Sequence, residues 1–555
     1  MAIDLPPVLP PVLADEASYY ELKRGVSNTL GIQGNIAGTT IRVYGNQKLD
    51  AEAVRAMIAE AAVPSEFIKQ LTRAYYDDGN ILTRVLYFRE GTTVSVFISE
   101  YELAGVEGSE SITPYFVGLR GDSDLTLGEF YNARELANIR SERSGVNYRT
   151  HFEVLDGNQA TLVLEPEPVA DHDATDIFLE LNNRGSRFAG RYYGIAGLQH
   201  NFASGTQATL AYQHAFSDLG GSRLGSDLDQ LKFSLDHPFT FGLYGIELAH
   251  VEYKSTVESV QTTQGSCTLL ILGCTPASSQ TTERGADGEV SEMALTGKQY
   301  LYSTPLAGIS LSQRLEHVDT KVEADGLSDP LLDETYQVAE LGVDYVRRPV
   351  PVSGDSSLQA GLKVRYGLGG DGGTLDRYDE FRAQNPSSSV PDVVPAARSA
   401  DFLTFHPSVD YHWRYAPQWV ASASFKGQFA SEQLPQQQQY VLGGMYSLSA
   451  YLPGALIGDE GYLLRLNVTT RRNWWGFDWR PSVFIEHGAA WFNETSSDLG
   501  DSQSASDIGI RLATEFGDGL SMDIVAATPL SKDVSDEDRL EDAEADFFWR
   551  LRKVF

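Results

Sequence analysis

The sequence predicts a transmembrane antiparallel β-barrel of about sixteen strands, preceded by two small α/β modules. Three observations carry this reading. Helical periodicity is confined to the first 170 residues; strand-like segments recur from residue 174 to the end; and the connectors between those segments are alternately short and long. No apolar run approaches the ~20 residues of a membrane helix. Strands that show lipid only every second residue escape that test.

Residues 1–37 open with the Pro-rich stretch MAIDLPPVLPPVLAD and continue into a short helix near Glu16–Leu30, expected as a plug helix or linker. The opening has no basic region followed by an apolar core and reads as a start from which an export signal is already gone. The first module spans 38–101. TTIRVYGNQKLD alternates as a strand, AEAVRAMIAEAA puts Val54, Met57, Ile58 and Ala61 on one helical face, and Pro64 opens a second helix with Phe67, Leu71, Ala74 and Tyr75 as its stripe. LTRVLYF and TTVSVFISE form a hairpin. The second module, 102–170, runs strand, helix, strand, strand, with Ala133, Leu136, Ala137 and the Arg140 stem expected inward.

Residues 171–555 form the barrel. Short turns fall at 203–206, 237–241, 303–307, 347–355, 414–418, 473–478 and 517–519, and long polar loops at 256–286, 369–400, 430–460 and 528–544. That is the punctuation of bacterial barrels, with periplasmic turns and extracellular loops. In DFLTFHPSVDYHWR, Leu403, Phe405, Pro407, Val409, Tyr411 and Trp413 share one face, and Thr404, His406, Ser408, Asp410, His412 and Arg414 the other. YLLRLNVTTR repeats the pattern, with Tyr462, Leu464, Leu466 and Val468 outward and Arg465, Asn467 and Arg471 inward. Aromatics gather at the short turns (Trp413, Tyr415, Trp419; Trp474, Trp475, Phe477, Trp479), as an interfacial belt requires.

The formal charge of -33 argues against a nucleic-acid partner, whose binding needs basic clusters. The densest acidic run, Ser535–Asp546, reads as a solvated loop. The two cysteines, Cys267 and Cys274, stand close together in a polar loop with no second metal-ligand pair, and read as a disulfide formed in an oxidising compartment.

The order and length of the two modules resemble POTRA domains, which lend a sheet edge to unfolded chains. Three barrel motifs resemble the transporter half of two-partner secretion systems (type V secretion; the TpsB, haemolysin-activator ShlB/FhaC/HecB group), within the superfamily that includes the BamA-type insertases. The first is Asn183-Arg184-Gly185-Ser186 with Gly190-Arg191-Tyr192. The second is the segment from Gly443-Gly444 through a tip at Leu448-Ser449-Ala450-Tyr451 to Gly458-Asp459-Glu460-Gly461, which looks like the sixth extracellular loop, about 430–460. The third is Phe484, Glu486 and Gly488 in FIEHG, similar to the family's F-x-D-x-G. The family's tip is V-R-G-Y, and its arginine pairs with that aspartate inside the lumen. Here the arginine is absent, so the resemblance implies a polar contact between Ser449 and Glu486 in place of the ion pair. At the C-terminus Phe547, Trp549, Leu551 and Phe555 share one face and resemble the signal read by the barrel-assembly machinery, with Lys553 interrupting the stripe.

The resemblance implies a bacterial outer-membrane protein, its POTRA domains periplasmic, that contacts lipid and lipopolysaccharide and exports an unfolded partner protein such as an adhesin or haemolysin. A BamA-like assembly factor is the alternative, and a passive porin the third reading. Catalytic residues, cofactors and metals are not expected. Gly367-Leu-Gly-Gly-Asp-Gly372 has the spacing of a phosphate loop but no helix pattern after it, His406, Asp410 and His412 read as lumen lining, and no hydrolase or metalloprotease motif is found.

Overall fold

The computed structural model describes residues 2–26, 30–155, 158–186, 190–216, 219, 227–263, 278–326, 328–349, 355–371, 373–375, 398–493, 502–535 and 537–555. Cys267 and Cys274 lie outside them.

The chain starts with a two-residue strand, β1 (Val12–Leu13), and α1 (Glu16–Gly25), capped by Asp15. The first module follows as β2 (Ile32–Ile36), β3 (Thr39–Tyr44), α2 (Ala51–Glu60), α3 (Pro64–Asp77), β4 (Thr83–Glu90) and β5 (Thr93–Glu100). Its sheet has the order β1-β4-β5-β3-β2, with β3 parallel to β5, so it also takes in chain from before residue 38. Val54, Ile58, Phe67, Leu71 and Tyr75 pack against Ile41, Val43, Val85, Val94 and Val96, as the helical stripes require.

The second module is β6 (Glu102–Glu107), α4 (Leu127–Ser144), β7 (Val146–Leu155) and β8 (Gln159–Pro168), with sheet order β6-β8-β7. A capping box between Thr126 and Glu129 starts α4, and Gly145 ends it in the left-handed conformation. Phe130 and Ala137 lie in this module's core with Ala133 packed against it, and Tyr131 and Leu136 are also buried. Arg140, expected inward, instead donates to the Ser204 carbonyl of a barrel turn. Periodicity could not show that α4 has two packed faces, one toward its own sheet and one toward the barrel.

The barrel strands are β9 (Thr175–Asn182), β10 (Tyr193–Asn201), β11 (Gln207–Ala215), β12 (Asp227–Phe239), β13 (Gly242–Thr263), β14 (Ser278–Ser303), β15 (Ala307–Ala324), β16 (Leu332–Arg347), β17 (Asp355–Asp371), β18 (Leu403–Ala416) and β19 (Trp419–Ala430). A small hairpin, β20 (Tyr440–Leu442) and β21 (Leu456–Gly458), precedes β22 (Glu460–Thr470), β23 (Arg472–Trp474), β24 (Phe477–Trp491), β25 (Gln503–Glu515) and β26 (Leu520–Asp533). A short helix, α5 (Glu537–Glu541), and β27 (Phe547–Val554) finish the chain. All wall neighbours are antiparallel and β27 closes on β9; with β22 and β23 as one wall strand, the barrel has sixteen.

Closure leaves no open edge, so every wall strand satisfies its backbone without water, the condition for spanning a bilayer. Leu198, Leu231, Leu295, Leu341, Leu362, Val409, Leu466 and Ile510 stand exposed on the outer wall, while the alternate positions are shielded. On the short-turn side Phe239 stacks on Phe241, and Tyr415 on Trp419. Gly367–Asp371 is part of β17, and His406 bonds Thr404 on β18.

Candidate functional site

The candidate site lies inside the barrel, where the connection between β19 and β22 folds into the lumen. Its near end is fixed to one wall. Gln436 N–H donates to Glu334 Oε2 (3.0 Å), which Arg398 also pairs (3.1 Å). Gln438 meets Arg365 (2.6 Å) and Tyr336 (3.2 Å), and Arg365 pairs with Glu316 (2.9 Å). Glu316, Glu334, Tyr336 and Arg365 sit on β15, β16 and β17, and Arg398 precedes β18. The far end is fixed four to eight wall positions further round, on β24, β25 and β26, so the loop crosses the lumen.

The tip is shaped by the backbone. Gly443 has φ 111°, and a Cβ there would stand 2.1 Å from the Leu452 carbonyl oxygen, so only glycine lets the two limbs approach. Leu448 adopts φ 54°, and the turn it makes is closed by Gly444 N–H to Tyr451 O (2.8 Å). Two successive amides beyond it reach the wall: Ser449 N–H donates to Glu486 Oε2 (2.8 Å) and Ala450 N–H to Asp507 Oδ2 (2.8 Å). Consecutive N–H groups of this kind make a small anion-binding concavity.

The contact implied between Ser449 and Glu486 therefore exists through the main chain. The Ser449 hydroxyl turns back to the Met445 carbonyl (3.0 Å) and does not touch Glu486. The cation expected to be missing is also present, from a different place. Arg465 on β22 donates to Glu486 Oε1 (2.9 Å), with its guanidinium 4.2 Å from the centre of the Phe484 ring. Arg465, Glu486 and Asp507 are in-register neighbours on three adjacent strands. Alternation marked Arg465 as inward, but only register shows which residue it faces.

A second anchor lies beside the first. The Tyr446 hydroxyl bonds Asp523, which Arg511 holds through two bonds (2.8 and 2.6 Å). The last loop folds in over the tip: Leu452 N–H donates to Ala543 O (2.7 Å) and Ala545 N–H to Ala450 O (2.8 Å). Tyr451 is fully buried among Leu442, Leu448, Leu456, Leu463 and Leu540. Gly488 lies under this cluster, where a Cβ would meet Leu442 at 3.0 Å and Leu448 at 3.3 Å. Asp459, also fully buried, accepts from the amides of Leu434 (2.9 Å) and Asn493 (3.0 Å) and ties both ends of the loop together.

Two further contacts involve residues singled out above. Asn183, at the end of β9, zips the closing seam: its amide nitrogen donates to Phe547 O (3.0 Å), its side-chain oxygen accepts from Trp549 N–H (2.6 Å), and its backbone N–H donates to Trp549 O (3.2 Å). On β27, Phe547, Leu551 and the terminal Phe555 are exposed on the outer face and Trp549 is half-buried, while Lys553 turns to the Asp518 carbonyl.

The second module is bonded to the short-turn rim. Arg143 on α4 pairs with Asp236, Tyr115 bonds the Pro238 carbonyl, and Glu135 meets Arg348 (3.7 Å). Lys48 pairs with Asp124 between the modules, which raises the lysine's pKa.

Two small α/β modules on a closed barrel, with one long loop fastened across the lumen, define the fold class: a transmembrane antiparallel β-barrel with POTRA-like modules at its N-terminus. Residues 275–512 match the model of the family described as haemolysin secretion/activation protein ShlB/FhaC/HecB. Among solved structures, CdiB from Escherichia coli is similar at TM-score 0.64 and 15% identity, over 95% of this chain and 92% of that one. CdiB from Acinetobacter baumannii follows at 0.59 and 13%, over 97% of each chain. No curated protein matches by sequence.

Proposed function

We propose that this barrel exports a partner protein, received unfolded in the periplasm by the POTRA modules and passed through the lumen to the cell surface. The observation that carries the reading is the joint between α4 and the short-turn rim. It holds β7, an edge strand, on a module bonded to the barrel's periplasmic turns. Edge strands recruit extended chains through main-chain hydrogen bonds and need little sequence specificity. The loop anchored across the lumen is then the gate that an exported chain displaces. A passive porin has no use for either feature. During biogenesis the exposed β27 face would serve as the signal to the assembly machinery, and the outer apolar wall would contact lipid and lipopolysaccharide.

Deleting residues 39–168 tests the receptor role. The expected product is a heat-modifiable, membrane-inserted barrel that exports nothing. Normal export by that truncation would refute it.

A further inference from the structure

The edge strand on which the receptor reading depends, β7, and β4 of the first module are both touched by one short stretch of the same chain. At its start, Ile3 forms a parallel bridge to Tyr148 on β7. Asp4 N–H donates to Tyr148 O (2.9 Å), and Tyr148 N–H donates to Ala2 O (2.6 Å). Ile3 is fully buried in the second module's core, its N–H held by Asn138 (2.9 Å). At the other end, Val12 and Leu13 pair in parallel with Leu86 and Tyr87 on β4, and Ala14 N–H donates to Tyr87 O (2.9 Å). Between these ends Tyr76 donates to the Pro6 carbonyl (2.7 Å). The helix that follows is clamped to the same strand: Tyr19 stacks on Phe88 at 4.1 Å, and Lys23 and Tyr19 bond Glu90, holding its carboxyl below the usual range.

Between its two paired ends the stretch is built against pairing. Pro6, Pro7, Pro10 and Pro11 have no N–H to give, so it cannot extend either contact into a long ladder. The pairing with β7 stops near its start; no other segment pairs with that edge among the described residues.

We infer that residues 2–14 are an intramolecular strap, a weak stand-in strand that covers the cargo-receiving edges of both POTRA modules and must leave them for an extended chain to bind. This rests on the proposed receptor function. The open end of β7 offers the first foothold, and a growing ladder from there displaces Ile3 and then frees β4. The recognised ligand is an unfolded segment of alternating apolar and polar residues with free N–H groups, which the strap lacks at its four prolines.

The test uses the whole protein in detergent and, as probe, a fluorescent soluble peptide of alternating threonine and valine ending in lysines. Removing residues 2–14 should tighten apparent binding about tenfold or more, because a covered edge is available only for a fraction of the time. Truncation also removes Ile3 from a core, so a second variant locks the strap instead: Leu13→Cys with Tyr87→Cys, in a Cys267→Ser, Cys274→Ser background. The oxidised lock should weaken binding and reductant should restore it. Equal binding by wild type, truncation and lock, still lost on deleting 39–168, would overturn the strap and leave the receptor standing. No binding by wild type or truncation would overturn the receptor reading and the strap with it.

Discussion

Replacing Glu486 should release the lumen loop, and the structure sets the size of the effect. Glu486 is 0% exposed and Arg465 13%, so the pair is held out of water. Arg465 and Glu486 both belong to the wall, so what the loop itself loses is the charge-assisted bond from Ser449 N–H, worth about 1.5–3 kcal/mol. At 1.36 kcal/mol per tenfold, the closed-to-open ratio of the loop should fall by roughly one to two powers of ten. The assay is single-channel conductance in planar bilayers, where a closed loop gives rare brief openings and a released loop long ones. Arg465→Met should open the channel less, since Glu486 keeps one amide donor. Ser449→Ala should be mild, about 1 kcal/mol, because its hydroxyl makes one neutral bond to Met445. Glu486→Ala behaving like Ser449→Ala would refute the reasoning and leave the loop held by its other contacts, among them Asp507, Asp523 and the apolar packing.

Other outcomes follow from single contacts. Ser449→Arg should destabilise the barrel, since Ser449 is fully buried and Glu486 already has its cation; a raised unfolding temperature would contradict this. Asn183→Ala should remove two side-chain bonds from the closing seam and lower the temperature at which the barrel loses heat-modifiable mobility on gels. Gly443→Ala should prevent the loop limbs from closing and raise conductance, given the 2.1 Å approach of its added Cβ to Leu452 O. Cys267 and Cys274 should label with an impermeant maleimide on intact cells only after reduction; labelling without reductant would rule out the disulfide.

Much of the fold was legible because side-chain alternation has a period of two and survives without any knowledge of partners. FIEHG shows this: Phe484, Glu486 and Gly488 are shielded while Val483 and Ile485 face outward. The helical stripes of α2 and α3 were equally plain. What alternation cannot supply is register, and a strand's neighbours depend on it. Arg465 was visible as inward, yet its facing Glu486 follows only from the pairing of β22 with β24. The role of Ser449 was hidden for another reason: the bond to Glu486 belongs to the main chain, which every residue carries. Residues 2–14 read as a linker because four prolines suppress strand periodicity, although the segment pairs at both ends. Arg140 and Asn183 act between units that lie far apart along the chain, beyond the reach of any local pattern.

The central claim is export of a partner, and one comparison of cells tests it most directly. Surface and medium proteins would be compared between the native host, the host lacking this gene, and that host given back either the full chain or the chain without residues 39–168. The account predicts that one large surface or secreted protein disappears with the gene, returns with the full chain and stays absent with the truncation. An unchanged set of surface proteins would contradict it, and so would a general loss of other barrels from the outer membrane, the mark of an assembly factor.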